Sequence, residues 1–396
     1  MPGSVIVAGA RTPIGRLAGA LSTVSAVDLG ARAIGAALAA ARLDPAAVEA
    51  VVMGHVVQAG AGPNSARQAA VRAGIPFSVP ASTVNKLCLS GLHAIALADL
   101  MIASGRHEVV VAGGMESMSD APHLLRGART GWKYGSAAAE DALDRDALVC
   151  AFDGVSMGAA TEQYQRPFAL TREEQDEYSA LSHQRAARAQ ESGALSGEIT
   201  PVTVAGRRGE TVVDTDEGVR PGSTAGSLGR LKPAFSGEGT ITAGNSSQLS
   251  DGAAAVVVMS AERARREGLT PLAEIGAYGT VAGPDPSLLV QPAGAVRDAL
   301  SRDGRLKTAD LDLFEINEAF AGVALASVRE LDIPLDKVNV NGGAIALGHP
   351  VGMTGARLVL TLAAELRRRG GGSGAAALCG GGGQGDALLL HVPTQD

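Results

Sequence analysis

The chain has 396 residues, a net charge of −7, and 46% hydrophobic but only 3% aromatic side chains, enough for two or more domains around a core of Ala, Val, Leu and Ile. The acidic balance argues against a general nucleic-acid or membrane-surface binder, and the absence of a run of about twenty apolar residues argues against a membrane span. Cys88, Cys150 and Cys379 are too few and too scattered for a disulfide framework or a zinc site, and the opening MPGSVIVAGARTPIG lacks the basic and long apolar segments of a secretion signal, so a cytoplasmic setting is expected.

The first element, SVIVAG (4–9), reads as a buried strand ending in glycine. AVDLGARAIGAALAAARL (26–43) reads as a helix and AVVMGHVV (50–57) as the next strand, an alternation that indicates α/β architecture. From about Ser119 to Gln248 the chain is more polar and more charged. Within that stretch, 171–193 is expected to be a helix opened by a Thr171/Glu174 capping box and stopped by Gly193. The apolar run DGAAAVVVMS (251–260) follows, and then DLFEINEAFAGVALASVREL (312–331), which passes from strand to helix. Residues 119–248 therefore read as an inserted loop domain, between a first half of 1–118 plus 249–270 and a second half of 271–396.

The two halves read as weak copies. Residues 75–113 run from IP through VN to a thiol, the helix GLHAIALADLMIASG and the strand VVVAGG. Residues 333–383 run from IP through VNVN to a histidine, the helix GARLVLTLAAELRRRG and the strand AALCGGGG. A duplicated α/β unit puts Cys88 and His349 at corresponding helix entrances.

Cys88, in TVNKLCLSGLHA, precedes a helix start near Ser90 and Gly91, where free backbone N–H groups favour thiolate. A lone cysteine is more often buried and inert. His349, in GGAIALGHPVGMTG, is bracketed by glycines and has the chemistry of a base that activates a thiol. Asn317 and Glu318 sit where an apolar strand gives way to a helix, and Asn317 also suits a helix N-cap. Cys379 heads four consecutive glycines in AALCGGGGQG, either as a small buried residue before a turn or as a reactive thiol against bare backbone. GGGGQG (380–385) fits a dinucleotide fingerprint, but only eleven residues follow it, too few for the helix and strand such a unit needs. GHPVGMTG lacks the Lys-Ser/Thr of a phosphate loop, and no metal-ligand spacing is present.

The chain resembles the thiolases of the acetyl-CoA acetyltransferase type. The segments that carry the resemblance are VNKLCLSGLHAI, VVVAGGMESMS, LKPAF, TAGNSSQLSDGAAA, INEAFA, NVNGGAIALGHPVGMTGAR and CGGGGQG, in order over nearly the whole chain. The resemblance implies two duplicated mixed-sheet halves packed as a five-layer αβαβα core with an inserted loop domain. It implies reversible condensation of two acetyl-CoA to acetoacetyl-CoA and CoA, with coenzyme A thioesters as substrates and no permanently bound cofactor or metal. Cys88 would carry the acyl group, His349 would activate it, and Cys379 would move the α-proton. Gly381 and Cys88 N–H groups would form one oxyanion hole, and His349 with a water on Asn317 the other. Around coenzyme A, Arg220 would lie beside the adenine and Ser227 at the nucleotide end. Leu148, Met157, Ala243 and Ser247 would follow the pantetheine, with Phe235 and Phe320 walling the acyl end. A homotetramer built from two dimers is also implied.

The pattern departs from the family at one loop. Acetyl-specific members commonly carry a histidine before the Met-Gly pair, where this chain has Ser156, and MGAATEQ varies from the usual segment. RTGWKYG around Trp132 resembles the short-chain biosynthetic type. The alternatives are a degradative 3-ketoacyl-CoA thiolase for longer chains, a non-catalytic acyl-CoA-binding homologue, and a carrier-protein ketosynthase. The retention of Cys88, Asn317, His349 and Cys379 argues against the silent homologue, and Cys379 against the ketosynthase.

Overall fold

The structure is a computed structural model that describes residues 3–206 and 209–394. Residues 1–2, 207–208 and 395–396, within the expected first half, insert and second half, lie outside the described residues. No helix among the described residues is long and apolar enough to cross a membrane.

The core strands are β1 (Ser4–Arg11), β2 (Ala50–Gly54), β3 (Ala81–Val84), β4 (Val109–Ser117), β5 (Ser250–Ser260), β6 (Ala273–Ala282), β7 (Leu313–Ile316), β8 (Gly372–Gly380) and β9 (Gln384–Val392). The helices that matter to the site are α1 (Ala26–Ala41), α2 (Ser65–Arg72), α3 (Ser90–Ala103), α4 (Met157–Tyr164), α5 (Arg172–Glu191), α6 (Gln291–Asp303), α7 (Ala321–Leu331) and α8 (Val351–Arg368).

The duplication is explicit in the topology. The first half runs β1-β5-β4-β2-β3 and the second β6-β9-β8-β7. Where the counterpart of β3 would lie, a single parallel bridge joins Phe314 to Val338. The directions also match: β2/β4 and β7/β8 are parallel, whereas β4/β5 and β8/β9 are antiparallel. A two-residue ladder between β1 and β6, Val5 to Glu274 and Ile6 to Ala273, joins the halves into one hydrogen-bonded run.

Side-chain alternation along the strands produces the five layers. On β4, Val110 and Ala112 face a central core with α3 and α8, while Val109 and Val111 face Leu29, Ala33 and Ile34 of α1. On β8, Ala376 and Leu378 face the same central core, while Ala375 and Ala377 face Val296 of α6 and Val328 of α7. α3 and α8 thus form the middle layer, with sheet on both sides.

Glycines let these helices touch backbone to backbone. A Cβ on Gly91 would lie 2.8 Å from the Ala356 amide nitrogen, and one on Gly355 would meet the Leu92 backbone. Gly355→Ala would gain about 0.8–1.0 kcal/mol of helix propensity, but parting two packed backbones costs about 1–3 kcal/mol. The overlap wins, so the variant is expected to melt at a lower temperature than the wild type in a thermal unfolding experiment.

The chain between β4 and β5 contains α4, α5 and a hairpin of Val202–Gly206 with Gly209–Val213. It is held to the core by buried Arg11, which bonds Glu198 at 2.6 Å and Asp216 at 2.7 Å. Such a pair contributes little net stability over an apolar replacement, but losing one partner strands a buried charge. The capping box of α5 forms as expected, with Thr171 and Glu174 bonded reciprocally to backbone.

Candidate active site

Cys88 and His349 each stand two residues before a helix of the central layer, since α3 begins at Ser90 and α8 at Val351. The loop before α3 is strained. Leu87 adopts φ +52°, a conformation that costs a bulky residue on the order of 1–3 kcal/mol. It is held by Asn85 Oδ1, which accepts the Leu87 amide at 3.0 Å, and by Ser90 Oγ, which accepts Lys86 N–H at 2.8 Å and donates to the Leu87 carbonyl at 2.6 Å. Lys86 Nζ reaches across to Asp386 Oδ1 on β9 at 2.7 Å. The loop is therefore braced within itself on either side of Cys88 and fastened to the second half through Lys86.

The tautomer of His349 follows from its partners. Thr354 Oγ1 donates to the Pro350 carbonyl at 2.9 Å, so it can only accept from His349 Nδ1, 2.7 Å away. The ring proton is on Nδ1, and Nε2 is left as a bare acceptor. Asn317 Nδ2 lies 3.4 Å from that Nε2, and Asn317 Oδ1 is buried without a protein partner. Burial, aided by the charge of Arg357, holds the imidazole down to about 3. The ring rests neutral.

Cys379 is fully buried near the end of β8. The glycine run after it answers to the protein's own side chains: a Cβ on Gly380 would lie 2.7 Å from Leu89, and one on Gly381 2.7 Å from Met157 and 2.9 Å from Leu87. Bare backbone there lets the β8–β9 turn slide beneath the Cys88 loop. The result is a shared site. The backbone amides of Gly381 and Cys88 favour the charged form of the Cys88 sulfur, and Cys88 in turn acts electrostatically on Cys379.

The expectation that the helix entrance favours thiolate is corrected by burial. Desolvation outweighs the two amides and pushes the Cys88 thiol up to about 11, with Glu116 adding in the same direction. Cys379 is raised further by burial, then by the charge of Cys88. The resting site is thus thiol, thiol and neutral imidazole.

Asn317 does not cap α7, which starts at Ala321 after Phe320 with no side-chain cap. Its place is fixed by Glu318, whose carboxylate accepts Tyr178 Oη at 2.9 Å, Ser182 Oγ at 2.7 Å, Asn339 Nδ2 at 2.9 Å and the Ile345 amide at 3.0 Å. These donors come from α5 and from the VNVNGGAI segment, so Glu318 joins the Asn317 strand end to the loop that leads into His349.

A cavity of about 550 Å³ opens beside this site, with Leu148, Met157, Arg220, Phe235, Ala243, Ser247 and Phe320 in its wall. Seven of the eight residues expected around a coenzyme thus share one cavity. Ser227 is outside that wall; it is exposed, and its hydroxyl is bonded to Thr224 in a reciprocal cap. Phe235 and Phe320 meet edge to face, 6.2 Å between centroids, and Phe320 packs in the same apolar cluster as Cys379 and Met157. The wall also contains Ser156, the departure noted in the sequence, and Arg16 and Gln248, which were not singled out from sequence. Gln248 holds the His349 turn, its carbonyl accepting the His349 amide at 3.0 Å. Among the described residues no cluster of His, Cys, Asp and Glu has a metal-binding arrangement.

Residues 4–262 match the family model described as "Thiolase, N-terminal domain" and residues 269–392 the one described as "Thiolase, C-terminal domain". The chain belongs to the thiolase family. Similar proteins include a "Probable acetyl-CoA acetyltransferase" of Mycolicibacterium smegmatis, 57% identical over 98% of this chain and 100% of that one. An "Acetyl-CoA acetyltransferase" of Cupriavidus necator is 48% identical over 92% of this chain and 93% of its own. A "Probable acetyl-CoA acyltransferase" of Staphylococcus aureus is 46% identical over 91% and 92%. This thiolase is an acyltransferase.

Three further buried residues near these helix entrances lay outside the sequence reading. Thr354 sets the tautomer of His349, and its only sequence signal is its position one helical turn past the His-Pro pair. Glu116 and His55 lie buried behind both helix entrances, and nothing local in VVVAGGMES or VVMGHVV marks them.

Proposed function

We propose that this thiolase condenses two acetyl-CoA molecules to acetoacetyl-CoA and CoA, and runs the reverse thiolysis, through an acetyl group on Cys88. The observation that carries this reading is that Cys88 of one half acts electrostatically on Cys379 of the other, while Asn317, whose amide bonds the Ala377 carbonyl two residues before Cys379, reaches the neutral imidazole of His349. Attack on a thioester needs a sulfur nucleophile, and Claisen condensation needs a separate base once that sulfur is acylated.

The first half-reaction starts from a neutral thiol. As the Cys88 sulfur closes on the acetyl carbonyl carbon, its proton passes to His349 Nε2, the one free nitrogen of the ring. The carbonyl oxygen turns anionic in reach of the Gly381 and Cys88 amides; losing one such donor costs about 2.7–4 kcal/mol of barrier. The CoA sulfur then departs and takes the proton from His349. In the second half-reaction Cys379 yields its proton to His349 and, as thiolate, removes a proton from the methyl carbon of the next acetyl-CoA. The protonated Nε2 donates to the enolate oxygen, together with a water on Asn317. The carbanion attacks the acetyl carbonyl, the Cys88 sulfur leaves, and it recovers its proton from His349.

Coenzyme A would run along the cavity, with Leu148, Met157, Ala243 and Ser247 against the pantetheine and Arg220 beside the adenine. Ser227 would meet the nucleotide end beyond the cavity wall. Residues 119–248 would act as the CoA-binding unit of a cytoplasmic homotetramer.

A second reading, a thiolase for longer 3-ketoacyl chains, draws on Ser156. Its side chain is small and lines the cavity, and its oxygen is engaged by the Ala159 amide as the cap of α4. Thiolysis of acetoacetyl-CoA beside a long-chain 3-ketoacyl-CoA decides between them. The acetyl reading expects a higher kcat/KM for acetoacetyl-CoA, and a large preference for the long chain would replace it with the second.

A further inference from the structure

One buried carboxylate near the site has no part in the steps above. Glu116, at the end of β4, has no exposed surface. Its Oε2 accepts the Val56 amide at 3.1 Å and the Gly352 amide at 2.9 Å, and its Oε1 accepts the Val57 amide at 3.0 Å. Val56 and Val57 follow β2 in the half that carries Cys88, whereas Gly352 lies in the first turn of α8, three residues past His349. The fit is tight: a Cβ on Gly352 would lie 2.9 Å from Glu116 Oε2 and 2.8 Å from the Met115 carbonyl.

Behind the carboxylate stands His55, with Nε2 3.4 Å from Glu116 Oε1 and Nδ1 2.9 Å from Ser65 Oγ. Thr83 donates its only hydroxyl proton to Asn64 Oδ1 at 3.0 Å. With that proton spent, Thr83 can only accept from Ser65, 3.4 Å away, and His55 stands between Ser65 and Glu116 as a neutral imidazole, its charged form disfavoured by burial. A carboxylate that takes three backbone amides has a partner on each oxygen.

We infer that Glu116 is a positioning residue of the acyl-transfer site, tying the turn that carries His349 to the half that carries Cys88 and standing, once ionised, as a negative charge behind the nucleophile. The inference rests on the acyl-transfer reading for its kinetic arm only. The charge arm concerns the Cys88 sulfur, which packs in one apolar cluster with Val56 and Val57, the two residues whose amides Glu116 takes, and on which Glu116 acts electrostatically. Burial raises Glu116 to about 7, with Asp251 adding to the rise and the three amides opposing it; it is therefore ionised over the alkaline range in which Cys88 loses its proton. The other ionisable groups on the elements packed around Cys88 include Cys379 on β8, His349 before α8 and Arg357, Glu365, Arg367 and Arg368 along it, His93 and Asp99 on α3, and Lys86 on the same loop, paired with Asp386.

The test uses Glu116→Gln and Glu116→Asp in the full-length protein. The first readout is the rate at which iodoacetamide alkylates Cys88 as a function of pH, followed on the Cys88 peptide by mass spectrometry so that Cys150 and Cys379 do not contribute. Glu116→Gln removes the charge, so the profile is expected to move to lower pH, with alkylation at pH 9 faster by roughly threefold or more. Glu116→Asp keeps the charge and is expected to leave the profile near that of the wild type. The second readout is kcat for thiolysis of acetoacetyl-CoA, expected to fall roughly tenfold to a hundredfold in both variants as the His349 turn loosens. An unmoved alkylation profile in folded Glu116→Gln overturns the charge role, and a wild-type kcat in either variant overturns the positioning role. Should Glu116→Gln fail to fold, a downward shift of the profile in Glu116→Asp is equally fatal. A protein inactive on every thioester, yet with the shifted profile, would sink the acyl-transfer reading and leave the charge role standing.

Discussion

Cys379→Ala is expected to take an acetyl group onto Cys88 at close to the wild-type rate and then go no further. The first half-reaction uses Cys88, His349 and the amides of Gly381 and Cys88, and alanine disturbs none of them. The second half-reaction loses the base that removes the methyl proton, a role worth about 10²–10⁴-fold. Single-turnover acylation by labelled acetyl-CoA and steady-state condensation, measured on the same preparation, separate the two. The variant is informative because Cys379 is buried in an apolar cluster with Phe320 and Ile345; removing its sulfur leaves a small void rather than an unpaired charge. Equal loss of both half-reactions would mean that the two thiols do not divide the labour.

His349→Ala is expected to lose both half-reactions, each by about 10³-fold. The reason lies in the resting protonation states. With burial raising the Cys88 thiol to about 11 and lowering the imidazole to about 3, Cys88 rests at pH 7 chiefly as the thiol. No preformed thiolate is present to attack unaided. The proton must move during bond formation, and Nε2 is the acceptor that the Thr354 hydrogen bond leaves open. Raising the pH should restore part of the acylation in the variant, because hydroxide then does what the ring did. A His349→Ala protein that acylates at the wild-type rate at neutral pH would show that Cys88 needs no base.

The parts of the fold that were legible in the sequence are those where local pattern and global role coincide. SVIVAG, AVVMG and DGAAAVVVMS are uninterrupted apolar runs because their strands are covered on both faces. Thr171 and Glu174 announce α5 because a capping box is a strictly local device. The internal repeat was readable for a similar reason: each half needs the same order of strand, turn and buried helix. It correctly set Cys88 and His349 at matching helix entrances.

The failures have a common physical cause. The ionisation of Cys88 could not be read from its neighbours, because it is decided by desolvation, and burial is a property of the whole fold. Asn317 offers the oxygen of a helix cap, but α7 begins four residues later, after a bend held by Glu318. The bonds of Glu318 to Tyr178 and Ser182 span 140 and 136 positions, beyond any local pattern. Glu116 is a single acid at the end of an apolar strand, and its three amide partners come from 59, 60 and 236 positions away. The glycines after Cys379 were visible at once. Their reason, the closeness of Leu87, Leu89 and Met157, became clear only when the two halves were seen together.

The most direct check is to mix the wild-type protein with labelled acetyl-CoA, quench within a turnover, and map the label by peptide mass spectrometry. Acetyl on the Cys88 peptide, with none on the peptides of Cys379 or Cys150, is the expected pattern. Label on Cys379, or no covalent label at all from a protein that still makes acetoacetyl-CoA, would contradict the assignment of one sulfur to carry the acyl group and the other to move the proton.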